Sequence, residues 1–174
     1  MANYTKEQII SLAHLAAADY AAACSGPTIR GLNGEKNLRG KSYEEVATNN
    51  GISVEEAKKL TIDLATASFD EMSEHWQNVN IESAKGMIAL LPAFGNGDAD
   101  NGAETLKTML KVPDFNVQAK YAALLHDAWL KLPANSWALG GDLDCPFDEL
   151  PEDEKAKDVQ QLMSLYTWLC SLDA

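Results

Sequence analysis

Several things are scarce in this chain, and each scarcity excludes a class of protein. Its three cysteines, Cys24, Cys145 and Cys170, are odd in number and show no CxxC spacing. That excludes a disulfide framework or a zinc knuckle and fits a reducing, cytoplasmic setting. Basic residues number 14 against 26 acids, a formal charge of −12. Such a balance weighs against a broad nucleic-acid or anionic-membrane surface, because phosphate binding needs clustered Lys and Arg. No apolar run approaches the length that crosses a bilayer, and the opening MANYTKEQ carries no signal-peptide core. Catalytic signatures are missing as well. There is no GxSxG elbow, Walker loop or HExxH, and His14, His75 and His126 fall on separate segments without metal-ligand spacing. The expectation is a binding protein, not an enzyme, with no cofactor or metal. The one catalytic alternative left by the carboxylates is an all-α nucleotide hydrolase that holds magnesium between facing helices.

What is present is material for a helical domain. The 174 residues are 46% hydrophobic and 23% charged, enough to bury a core in one domain or in two small halves that share one. Thr5 and Gln8 form a capping box before an alanine-rich helix from Lys6 to about Cys24, stopped by Ser25-Gly26-Pro27. Ser42 with Glu45 and Ser53 with Glu56 cap a short helix from Tyr43 and a long one from Val54 to about Trp76. Asn49-Asn50-Gly51 turns between them. A further helix runs from Asn80 to Pro92. In 92–102 a calcium loop started at Asn96 would put Asn101 where glycine is required and Lys107 where the closing Glu belongs, so the stretch reads as a linker. Residues 1–91 and 103–174 are then two halves. The second holds helices at Ala103–Lys111 and Asn116–Leu132, and a last one from Pro151 whose opening acids suit the helix dipole. Trp168 lies off the buried stripe of that last helix, free to meet the other half or a second copy in a homodimer.

Both arginines, Arg30 and Arg39, fall with Lys36 and Lys41 in one Gly-rich loop, RGLNGEKNLRGK, the only locally basic place in the chain. Glycines let backbone N–H groups approach a ligand, and arginine offers a planar fork to phosphate or carboxylate. Tyr43–Leu60 resembles a helix-turn-helix with Gly51 at its turn, but the second helix opens Val54-Glu55-Glu56, and carboxylates repel phosphate. A structural hairpin is the better reading of it.

The second half carries the sharpest pattern. His126 and Trp129 on one helix, Trp137 and Gly140 in a loop, then Pro146, Phe147, Glu149, Leu150, Glu154, Lys155 and Asp158 resemble the ryanodine-receptor-type repeat over about 50 of the 174 residues. The loop from Gly140 to Pro146 is shorter than is usual there, and Val159 stands where a basic residue is expected. The resemblance implies an all-α, compact multi-helix domain of two loosely similar halves. Ser42–Val46 would parallel Pro146–Leu150, and His14 would parallel His126. It also implies a ligand-binding or interaction module, since members bind adenine nucleotides and bacterial and phage relatives are suspected of sensing nucleotide-derived signals. The functional expectation is therefore a sensor or sequestering protein for a nucleotide-like molecule, such as a phage or bacterial defence signal. Trp137 would stack on the base, Trp129 and Tyr43 wall the pocket, His126 donate a hydrogen bond, and Arg30, Arg39 and Lys41 hold phosphate. Two alternatives stand beside it: a DNA-binding regulator using Lys58 and Lys59, and a protein-interaction module using the acidic loop from Asp142 to Glu154.

Overall fold

The computed structural model describes residues 3–174, apart from the side chain of Ala134. The fold is mostly α. Helix α1 (Lys6–Ala23) starts on the Thr5–Gln8 capping box, where each side chain takes the other residue's backbone N–H, at 3.2 and 2.8 Å. Its Leu12, Ala13, Ala16 and Ala17 are buried. The small side chains let two other helices come close, α4 (Glu74–Ala89) on one side and α8 (Glu152–Ser171) on the other. Helix α7 (Phe115–Lys131) packs on α8 and only sparsely on α4. One apolar core runs through these four helices, from Leu12 to Met87, Leu125, Leu162 and Leu165. Among the described residues no helix is long and apolar enough to cross a membrane.

Trp168 is not left over for a second chain. It is 2% exposed, and its indole N–H donates to the Gln8 carbonyl of α1 at 2.9 Å. Tyr4 lies against its ring, centroids 4.8 Å apart. The side chain that suggested a dimer is thus spent on closing the first and last helices together.

A small lobe interrupts the helices. Strands β1 (Ile29–Gly31) and β2 (Thr61–Asp63) pair antiparallel with Arg30 opposite Ile62. Between them lie a 3-10 turn at Lys36–Leu38 and helices α2 (Tyr43–Asn50) and α3 (Val54–Leu60). Ile29, Leu38, Val46, Ala47 and Ala57 form a separate small core there. The long helix expected from Val54 to Trp76 stops at Leu60. Thr61 and Ile62 are β-branched and extend, and the Asp63 carboxylate then accepts from the N–H groups of Thr28 and Ala65 at 2.8 and 3.0 Å, fixing a turn. Ser73 restarts the chain as the cap of α4, six residues earlier than the Asn80 start that periodicity suggests. Gly51 sits at φ 64 between α2 and α3, as the hairpin reading requires, and α3 spans seven residues before the strand.

The stretch 92–102, expected as a linker, is packed. Helix α5 (Leu91–Phe94) buries Leu91 and Phe94, and Asp98 caps α6 (Ala99–Met109). Gly102 lies against the α5 backbone so closely that a Cβ there would sit 1.7 Å from the Leu91 carbonyl oxygen. Glycines at such spacing look like flexibility in a sequence; here they permit a tight helix crossing. The parallel between Ser42–Val46 and Pro146–Leu150 also takes a different register. The first segment opens α2, whereas Phe147–Glu149 is a 3-10 turn, and the turn of the same sequence and shape is Phe69–Glu71 before α4.

Candidate functional site

Where α4 and α7 draw apart, a cavity of about 460 Å3 opens between them. That volume falls in the range of about 300–1,000 Å3 found for small-molecule sites. Its apolar floor comes from Met72, Met87 and Leu90 on one side and Leu125 and Leu132 on the other. Gly86 lets Leu132 approach α4, since a Cβ there would lie 2.7 Å from a Leu132 methyl.

One wall is aromatic, built by the end of α7 and the 3-10 turn at Pro133–Ala138 that Pro133 starts. The rings of His126 and Trp129 are near parallel, 13° and 6.1 Å between centroids. Trp129 meets Trp137 edge to face at 5.9 Å, and the Arg39 guanidinium lies over the Trp137 ring at 5.3 Å. A cation above an indole face is attracted by the ring quadrupole. This contact joins the loop of the small lobe to the loop after α7.

The other loop wall is cationic. Arg30 leaves β1 and Arg39 leaves the stretch after the Lys36–Leu38 turn, and both line the cavity with Lys36. The loop is pinned to α4 by Ser73, whose hydroxyl donates to the Leu32 carbonyl at 2.5 Å, and by Trp76, whose indole N–H donates to the Gly31 carbonyl at 2.9 Å. Gly34, at φ 83, lies where a Cβ would meet the His75 ring at 2.5 Å, so this loop path depends on glycine. Burial, then the neighbouring Arg39 charge, lowers the Arg30 pKa from its ordinary value. Among the described residues neither arginine pairs with a carboxylate, although acids outnumber bases in the chain. Two like charges held side by side without a counterion suit an anion.

The third wall is α8, through Glu154, Lys157, Asp158 and Gln161. Asp158 stands 3.1 Å from His126 Nδ1, yet its Oδ2 is buried and makes no formed hydrogen bond. Burial pushes Asp158 up to about 6; His126 pulls it down and Glu154 adds to the rise. The other His126 nitrogen, Nε2, donates to the Cys145 carbonyl at 2.9 Å. With both nitrogens turned to the protein, His126 offers the cavity a ring, not the hydrogen-bond donor expected of it. Lys157 is tied to Glu154 at 3.1 Å and lies 5.4 Å over the Tyr20 ring.

Of the seven residues singled out by sequence, Arg30, Arg39, His126, Trp129 and Trp137 line this cavity together. Lys41 and Tyr43 do not. Lys41 is exposed, its backbone N–H held by Glu45 at 2.6 Å, and Tyr43 packs on the small-lobe core with Lys58 5.8 Å over its ring. Sequence reasoning passed over Asn80 and Ser83 of α4 and Gln161 of α8, and named Asp158 only as part of the repeat-like pattern; all four also line the cavity. Their spacing is the one local sign: Asn80 with Ser83, and Asp158 with Gln161, are three apart and so share a helix face. No family model, curated protein or solved structure matches the chain.

Proposed function

We propose that the cavity binds a nucleotide or nucleotide-derived small molecule without turning it over, as a sensor or sequestering protein would. The observation that carries this is the convergence of two unpaired arginines with Trp129 and Trp137 on one enclosed space. Arginine forks take phosphate oxygens in bidentate fashion, and an indole face holds a purine at roughly 1–3 kcal/mol per stacked base. Arg39 already covers the Trp137 face, so a base entering there either displaces the guanidinium or lies between the two. The resemblance of the second half to ryanodine-receptor-type repeats supports the same ligand class.

Thermal stability against mono-, di- and cyclic nucleotides and ADP-ribose derivatives tests the reading, because a ligand bound only by the native state raises Tm by mass action. An upward shift for one class, lost in Arg39→Ala and weakened in Trp137→Ala, is expected. A flat response across the panel would refute it and favour the protein-interaction or DNA-binding alternatives.

A further inference from the structure

His126 ties three segments together, and the tie needs a proton that a neutral imidazole does not have. The ring, on α7, is 3% exposed. Its Nε2 lies 2.9 Å from the Cys145 carbonyl oxygen, and its Nδ1 lies 3.1 Å from Asp158 Oδ2 on α8. A carbonyl only accepts, and so does an ionised carboxylate, whereas a neutral imidazole carries a single N–H. Both contacts are favourable together only while the His126–Asp158 pair holds one further proton, as imidazolium beside carboxylate or as imidazole beside carboxylic acid. When that proton leaves for water, one ring nitrogen turns a lone pair towards an acceptor. The charged carboxylate is the stronger claimant, so the remaining N–H stays on Nδ1 and the Cys145 carbonyl loses its donor.

Cys145 ends a loop that has little else to hold it. Among the described residues the other hydrogen bonds of 139–145 stay within 136–145. The Gly140 N–H donates to the Asp144 carboxylate at 2.8 Å, the Gly141 N–H to the Ala138 carbonyl at 3.2 Å and the Asp144 N–H to the Gly141 carbonyl at 3.1 Å. His126 therefore makes the hydrogen bond that joins this loop to the helices. Leu143 of the loop lines the cavity. Gly140, at φ 77 with open space where a Cβ would stand, supplies a hinge at one end, and the buried Phe147 anchors the other.

We propose that the His126–Asp158 pair is a proton-operated latch: while protonated it holds Cys145 and keeps Leu143 in the cavity wall, and on losing its proton it releases the loop and opens that wall. Burial pushes Asp158 up to about 6, with Glu154 adding to the rise and His126 and Lys157 opposing it. The pair thus keeps its proton up to about pH 6 and gives it up above. The loop brings the Cys145 thiol to the pair, with Asp142 and Asp144 exposed. Facing it across the cavity are Tyr20 of α1, His75 of α4, and Arg30, Glu35, Lys36 and Arg39 of the small lobe. The latch acts on the cavity whatever the cavity holds, so it stands apart from the nucleotide reading.

Imidazole and leucine-methyl NMR of the full chain at about pH 5 and about pH 8 tests it. In the wild type, His126 Nε2 is expected to carry a proton at the lower pH and none at the higher, and the order parameter of the Leu143 methyls to fall by about half between them. In Asp158→Asn the amide donates to Nδ1 and leaves the Nε2–H for Cys145, so Leu143 is expected to stay equally ordered at both. His126→Phe keeps a ring without a donor; it is expected to leave Leu143 mobile at both, and it serves if Asp158→Asn does not fold. A wild-type Leu143 equally ordered at the two pH values would overturn the latch. So would an Asp158→Asn chain that loosens as the wild type does, or a His126→Phe chain as ordered as the wild type at low pH.

Discussion

Asp158→Asn should change the pH dependence of stability in a way that can be worked out beforehand. Burial raises the Asp158 carboxyl from an ordinary 3.8 to about 6 in the folded protein, against the pull of His126 and Lys157. At about 1.4 kcal/mol per pH unit this gap corresponds to roughly 2–3 kcal/mol. Between pH 4 and 6 the native protein holds a proton that the unfolded chain has released, so wild-type stability falls as pH rises through that window. Above pH 6 both states are ionised and the penalty stays constant. Asparagine has nearly the same shape and does not titrate. The stability of the variant minus that of the wild type should therefore climb by roughly 2–3 kcal/mol from pH 4 to 7. Urea unfolding followed by fluorescence of the four tryptophans gives both curves. A difference that stays flat over this range, or declines with pH, would refute the picture of a carboxylate held charged in a poorly solvated wall.

Two further outcomes follow from the geometry. Gly102→Ala places a Cβ 1.7 Å from the backbone oxygen of Leu91, which cannot move aside as a side chain would, so circular dichroism should find the variant unfolded or destabilised by at least about 3 kcal/mol. Trp168→Phe keeps an aromatic ring but leaves the Gln8 carbonyl without its indole donor, and urea unfolding should show a loss of about 1–2 kcal/mol.

The parts of this fold legible in the sequence are those set by neighbours in the chain. Thr5 with Gln8, Ser42, Ser53 and Pro151 mark helix starts because a cap acts on N–H groups two or three residues away. Strand β2 was hidden because Leu60, Thr61, Ile62 and Leu64 continue an apolar run that a helix also tolerates; only pairing with Ile29–Gly31, thirty residues upstream in the chain, decides for extension. At the site, Arg30, Arg39 and the tryptophans stood out by rarity of type. Asn80 and Gln161 did not, since a polar residue on a helix ordinarily faces water, and Asp158 was legible only as part of the repeat-like pattern; nothing local reveals that three helix faces enclose a space. The same locality explains Tyr43 and Lys41: they adjoin the basic loop in sequence and turn away from it in space.

The clasp between the first helix and the last has a consequence for the order in which the protein is made. Gln8 and Trp168 are 160 positions apart, and α1 has its largest interface with α8. During synthesis Leu12, Ala13, Ala16 and Ala17 of α1 stay without this partner until α8, far downstream, has been made. Because α8 also supplies one wall of the cavity, a chain that stops short of it has no finished cavity. The cavity therefore closes together with the pairing of these two helices, in one event and not by stages.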